Sequence, residues 1–141
     1  MAIDFPELVD LKPHTDERGC LVYIENGNSI KFEPKRAYYI YNTPDRETIR
    51  GLHGHKQLQQ LMIAVCGSFT VRAFNGVKWR DYELNVKDQG LLFKPGLWRE
   101  ITNFSSDAVC LVLASDVYDP VDYIHDIDDY QRYVAQMEVE V

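Results

Sequence analysis

The chain has 141 residues, with 15 basic and 22 acidic side chains giving a formal net charge of −7, and an isoelectric point near 5.0. A chain of this length buries on the order of 65–70% of its unfolded surface, enough for one domain over 1–141 with a core and a pocket, without disulfides or a structural metal. The acidic balance excludes a polyanion partner, because nucleic-acid binders present a basic face, so any phosphate group has to be met by local cations.

The start, Met1 to Pro6, has no basic stretch followed by an apolar run, and no later apolar stretch approaches a membrane-spanning length. A cytoplasmic protein that does not enter a membrane is expected. Next along the chain, Leu21 to Ile24, Ala37 to Tyr41 and Leu61 to Val65 are rich in apolar, aromatic and β-branched residues and read as strands. Ser68 to Phe74 alternates polar and apolar residues, as a strand with one wet face does, and Asn75-Gly76 then supplies a hairpin turn. Trp79 to Leu84, Gly90 to Phe93, Arg99 to Phe104 and Val109 to Ala114 continue the series. Many short strands at close spacing mean a sandwich or barrel. Tyr123, Ile127, Tyr130, Val134 and Met137 follow a helical period instead, with Pro120 upstream where a chain enters a helix. The acidic residues between Asp116 and Asp129 read as a solvated loop and helix face. Cys20, Cys66 and Cys110 are odd in number and widely spaced, so they are expected to be reduced and mostly buried.

Chemistry concentrates in Arg50-Gly51-Leu52-His53-Gly54-His55-Lys56-Gln57-Leu58-Gln59-Gln60, followed by Cys66-Gly67. His53 and His55 are alternate residues of a predicted strand and point the same way. This spacing resembles the first cupin motif, a His-x-His with a downstream Glu and then Gly. Gly90, Pro95, Gly96, Arg99 and Asn103 resemble the second, slightly compressed. The resemblance implies an all-β cupin-type jelly roll, a double-stranded β-helix, here closed by a short C-terminal helix. At two ligand positions the chain departs from the pattern, with Gln60 for Glu and Arg99 for His. Arginine cannot release a proton to become a ligand, and its fixed charge repels a divalent ion. No metal and no cofactor are expected, and the histidine pair reads as acid/base machinery.

Within this frame, Lys35 to Ile40, Arg50 to Gln60, Pro95 to Glu100, Val112 to Asp119 and Asp122-Tyr123-Ile124 resemble, in order, the TDP-4-oxo-6-deoxyglucose 3,4-ketoisomerases. These are metal-independent cupins that move a ketone along a nucleotide-linked sugar. Gly54 departs from the Ala or Ser usual between the histidines, and a smaller residue there is expected to loosen the strand. The resemblance implies a homodimer acting on a TDP-linked 4-oxo-6-deoxy sugar, in the biosynthesis of a 3-amino-3,6-dideoxy sugar for an O-antigen or S-layer glycan.

Moving the carbonyl from C-4 to C-3 means taking the C-3 proton, passing through an enediol and returning a proton to C-4. A neutral imidazole suits this carbon base, and the resemblance assigns the step to His53. It assigns the transfer between the two oxygens to Tyr38, a phenol that donates and accepts in alternate steps. Tyr39 is adjacent, and only one of the two can enter a barrel. His55 has three possible parts: orienting substrate, sharing the acid/base work or tuning His53. Guanidinium forks are the expected partners of a nucleoside diphosphate, with Arg50 first, Lys56 and Arg72 behind it. Arg99 replaces a lost ligand, so it is expected to point inward onto sugar or phosphate, with Gln60 bonding to the sugar or to a catalytic histidine. Trp79 and Trp98 are expected in core packing ahead of stacking on a base. As the resemblance implies, Arg near Arg18 with His at position 99 marks a galacto product, and Tyr with Arg a gluco product. This chain has Arg at both, and Arg18-Gly19 also reads as a turn after Asp16. A single base returning the proton to the same ring face favours the galacto product. The competing readings are a metal-dependent cupin inhibited by chelators, a 3,5-epimerase that also exchanges C-5, and a sugar-binding domain that turns over nothing.

Overall fold

The computed structural model describes residues 3–139; Met1, Ala2, Glu140 and Val141 of the expected 1–141 unit lie outside the described residues. Two five-stranded antiparallel sheets pack face to face, as expected for the jelly roll. The first runs in spatial order β1 (Glu7–Asp10), β9 (Gln89–Phe93), β6 (Gln60–Cys66), β11 (Val109–Ala114), β4 (Arg36–Tyr41). The second runs β12 (Tyr123–Ile124), β5 (Arg50–His55), β10 (Trp98–Thr102), β7 (Phe69–Phe74), β8 (Trp79–Leu84). A hairpin of β2 (His14–Asp16) and β3 (Gly19–Leu21) stands apart from both. No helix among the described residues is long and apolar enough to cross a membrane.

The composition of each strand follows from which faces it buries. On β6, Met62 and Ala64 face the space between the sheets, while Leu61 and Ile63 face outward under Leu11, Ile30 and Phe32. Both faces are dry, so the apolar run is continuous. On β7, Phe69, Val71 and Ala73 face in and Thr70 and Arg72 face out, giving clean alternation. The turn to β8 falls where expected, but it takes four residues, Asn75 to Lys78, with positive φ at Gly76 (+93°) and not at Asn75, and Asn75 Oδ1 accepts from the amides of Val77 and Lys78 at 3.0 and 2.8 Å.

Three expectations are corrected. The expected strand from Leu21 to Ile24 ends at Leu21; Val22 and Ile24 leave the ladder to cover the outer face of the first sheet. The helix α1 (Ile127–Val139) begins at Ile127, not at Tyr123. Asp126 caps it, its Oδ1 accepting from the amides of Asp128 and Asp129, while Pro120 opens a separate 3-10 turn over Pro120–Asp122. Of the three free cysteines only Cys110 is buried; Cys20 is exposed on the hairpin.

Gly54 does not loosen β5; it makes room. Helix α1 lays Tyr130 and Val134 against Phe74, Trp98 and Ile124 on the outer face of the second sheet. A Cβ on Gly54 would stand 2.9 Å from Tyr130 Cδ1 and 3.3 Å from the Leu97 carbonyl. The Tyr130 hydroxyl bonds the Gly96 carbonyl at 2.6 Å, so the ring is held in place. Gly54→Ala is therefore expected to cost about 1–3 kcal/mol through overpacking, read as a lower urea midpoint. An unchanged midpoint would mean that the ring yields freely.

Candidate active site

A cavity of about 570 Å³ opens between the sheets, walled by Arg36 and Tyr38 of β4, Arg50 and His53 of β5, Arg99 of β10, and Tyr118 and Tyr123 beyond β11. Strand alternation sets the β4 wall. Arg36, Tyr38 and Ile40 face the cavity, while Tyr39, 64% exposed, points outward. Of the two adjacent tyrosines, Tyr38 is the one inside.

The β5 wall depends on a bulge. Arg99 lies opposite His53 and Ile101 opposite Arg50, so Gly51 and Leu52 together oppose the single residue Glu100. Both adopt positive φ, +89° and +38°, and a Cβ at Gly51 would meet the Arg99 carbonyl at 3.3 Å. The bulge turns the Gly51 carbonyl onto His53 Nδ1, which hydrogen-bonds to it. His55 Nδ1 lies 3.0 Å from Asp122 Oδ2. A carbonyl and a carboxylate only accept, so each ring carries its proton on Nδ1 and keeps its lone pair on Nε2. Neither Nε2 has a hydrogen-bond partner among the described residues.

Arg99 is 1% exposed, its guanidinium 4.1 Å from the centroid of the Phe93 ring. Its Nη1 donates to Gln60 Oε1, and Gln60 Nε2 donates to the Tyr38 hydroxyl oxygen at 3.3 Å. Burial, and secondarily the Arg99 charge, lowers the His53 pKa to about 3. Burial lowers that of His55 further, again with Arg99 next. The Asp122 carboxylate pulls the other way on His55, but removal of the ring from water beside cations outweighs it. Both imidazoles are neutral near pH 7. Burial raises the Tyr38 phenol, and Arg99 opposes that rise.

Of the candidate residues, His53, Tyr38, Arg50 and Arg99 converge on the cavity wall. His55 does not line it: β12 pairs Tyr123 with His55, and the tyrosine ring packs 4.3 Å from the imidazole. Gln60, fully buried, stands behind Tyr38 and Arg99 without reaching the cavity surface or a histidine. Arg72 faces away, because it occupies an outward position of β7; it lies beside Asp81 and Glu100 and over Trp79. Arg18 is a turn residue held by Asp16 at 2.6 Å, with its side chain 84% exposed, and it is not among the residues lining the cavity. Lys56 lies over Tyr133 instead. Trp98 packs against Tyr130 and Trp79 against Phe74.

Sequence reasoning missed Arg36, Tyr118, Tyr123 and Asp122. Arg36 was within reach, since it lies two residues before Tyr38 and shares its strand face. Its Nη2 donates to the Tyr123 hydroxyl at 3.1 Å. Asp122 was hidden in the acidic run, yet its carboxylate serves His55 and accepts the Gln57 amide at 2.7 Å. The acidic run is therefore not wholly a solvated face.

Residues 4–135 match the family model "FdtA: WxcM-like, C-terminal". The chain is 40% identical over 134 residues to the TDP-4-oxo-6-deoxy-alpha-D-glucose-3,4-oxoisomerase of Aneurinibacillus thermoaerophilus, covering 95% of this chain and 96% of that one. It superposes with TM-score 0.89 and 36% identity on a histidine-to-asparagine variant of the QdtA 3,4-ketoisomerase from Thermoanaerobacterium thermosaccharolyticum in complex with TDP-4-keto-6-deoxyglucose, over 95% and 96% of the two chains. With the TDP-quinovose 3,4-ketoisomerase of Campylobacter jejuni the TM-score is 0.87 and the identity 40%, over 92% and 99%.

Neutral burial of the histidines makes stability depend on pH. With folded pKa values below the unfolded 6.5, the folded state binds fewer protons than the unfolded chain as the pH drops below that value. This contribution is fully present above about pH 6.5 and is lost on acidification toward about pH 3. The melting temperature is expected to fall between about pH 7 and pH 4, and to fall less in the double variant His53→Asn, His55→Asn. Equal drops in both proteins would show that the imidazoles are not held neutral.

Proposed function

The chain belongs to the FdtA, WxcM-like C-terminal, family and is a TDP-sugar 3,4-ketoisomerase, and we propose that its substrate is TDP-4-oxo-6-deoxyglucose, with the proton transfers carried by His53 and Tyr38. The observation that carries this reading is the convergence of the His53 imidazole, the Tyr38 phenol and the Arg99 guanidinium, from three strands, on one cavity. The neutral Nε2 of His53 takes the proton from C-3 and returns it to C-4. Tyr38 gives a proton to the C-4 oxygen and takes one from the C-3 hydroxyl, while Arg99 stabilises the charge passing through the enediol. His55, fixed by Asp122 and 4.7 Å from His53 between ring centroids, orients the base rather than touching the sugar. Arg36 and Arg50, both at the cavity wall, are the cations for the diphosphate of the substrate.

The proposed product is the 3-oxo-6-deoxygalactose, because one base on one ring face returns the proton to the side from which it came. A gluco product is the second reading, favoured by Arg99 at its position and by the likeness to an isomerase named for TDP-quinovose. Either product is a ketone that an aminotransferase converts to a 3-amino-3,6-dideoxy sugar. We also propose a homodimer, supported by Leu8, Leu21, Tyr23, Tyr39 and Tyr41, which are exposed on the hairpin, on edge strands and beside them.

Proton NMR of the protein with TDP-4-oxo-6-deoxyglucose in heavy water, with chelator present, tests the reading. Ketone migration without exchange at C-5 is expected, and the coupling constants at C-4 report the configuration. His53→Asn should lower turnover at least about 100-fold with TDP binding retained, and Tyr38→Phe should slow it severely. Full activity in either variant removes the role given to that residue, and loss of activity on chelation revives a metal-dependent reaction.

A further inference from the structure

Gln60 has chemistry that substrate binding does not explain. It opens β6 between Ala114 of β11 and Phe93 of β9, has no exposed surface and bonds only inward, to Arg99 and Tyr38. An apolar residue would be the ordinary occupant of such a place, since a buried amide is costly unless both its ends are satisfied.

The orientation of that amide is dictated by its neighbours. A guanidinium has five donors and no acceptor, so the atom facing Arg99 has to be the carbonyl oxygen. The amide nitrogen is thereby turned to Tyr38, and it can only donate. The Tyr38 oxygen accepts from Gln60, and its own proton is left to point elsewhere, into the cavity that Tyr38 lines. We propose that Gln60 is a positioning residue that acts through Tyr38: locked by Arg99 on one side, it turns the phenolic proton toward the sugar and steadies the oxygen when that proton leaves.

The step balances. As the enediol forms, the Tyr38 O–H bond breaks and an O–H bond forms on the C-4 oxygen; the C-3 hydroxyl proton then restores Tyr38 while the carbonyl forms at C-3. No electron acceptor is needed. Between these two events the phenol oxygen carries negative charge, and the Gln60 N–H and the Arg99 cation behind it are the groups that meet it. A carboxylate at the same place would accept from both neighbours and draw the Tyr38 proton away from the sugar.

This inference rests on the reading of Tyr38 as the oxygen-to-oxygen shuttle, and a double-mutant cycle separates the two. Turnover and TDP affinity are measured for Gln60→Met, Tyr38→Phe and the double variant, with Gln60→Glu as a second replacement that keeps a partner for Arg99. In the native background either change at Gln60 is expected to lower kcat about 10- to 100-fold, the effect of a hydrogen bond to a charged group. KM and TDP affinity should stay within about twofold. In the Tyr38→Phe background the same changes should cost at least about fivefold less, the remainder being what Arg99 loses with its acceptor. Equal losses in both backgrounds, a loss confined to KM or TDP affinity, or no loss in the native background would overturn the inference while leaving the shuttle intact. Full activity of Tyr38→Phe alone would sink both. If Gln60→Met fails to fold, the same cycle run with Gln60→Glu separates these outcomes by itself.

Discussion

A guanidinium sealed inside the barrel governs the rest of the site. Arg99 is almost wholly removed from water, with Gln60 as its hydrogen-bonded acceptor and the Phe93 ring beneath it. A buried cation is costly unless its surroundings answer it; here they do so in part, through Gln60 and the Phe93 ring, since Nε and Nη2 have no hydrogen-bond partner among the described residues. The neighbouring imidazoles are kept neutral, and the phenol of Tyr38, raised by burial, has a positive neighbour that limits the rise. A fixed charge that cannot dissociate thus sits where cupins otherwise place a ligand, and it suits proton transfer better than it suits coordination.

Placement of the catalytic groups is a matter of strand geometry with one local irregularity. Alternation brings Arg36 and Tyr38 to the same face of β4 and sends Tyr39 outward. On β5 the bulge at Gly51 and Leu52 adds a residue against β10 and supplies the carbonyl that holds His53. Without it, His53 Nδ1 would lack the acceptor that fixes its tautomer. A rigid two-sheet scaffold, clamped outside by Tyr130 lying over Gly54, holds these parts in register.

The same logic recurs behind each proton-carrying group of the site. Asp122 stands behind His55, the Gly51 carbonyl behind His53 and Gln60 behind Tyr38, each dictating where a proton sits. Donor-only and acceptor-only partners do this without ambiguity, because arginine, carbonyl and carboxylate cannot reverse their roles. In an isomerase that moves protons and nothing else, control over their direction is the main thing the protein contributes. The cavity is also the place where an acidic chain gathers positive charge, with Arg36, Arg50 and Arg99 around its walls.

The sequence by itself determined the strand-rich fold, the histidine pair, the replacement of two ligand positions by Gln60 and Arg99, and the family. The first two are properties of period and spacing, which a strand's period of two carries directly, and the last two follow from the ordered resemblance of several segments to a known family. Only the tertiary structure decided that Tyr38 rather than Tyr39 faces the cavity, since the choice depends on which face of β4 meets the other sheet. It also withdrew Arg18 and Arg72 from the cavity wall of this chain, drew Arg36, Asp122 and Tyr123 into the site, and set Gln60 and His55 behind the wall. The assignments of Gln60 and His55 rest on contacts between residues tens of positions apart, Gln60 with Arg99 and His55 with Asp122. No local pattern encodes such contacts, because a side chain's partner is chosen by the packing of the sheets.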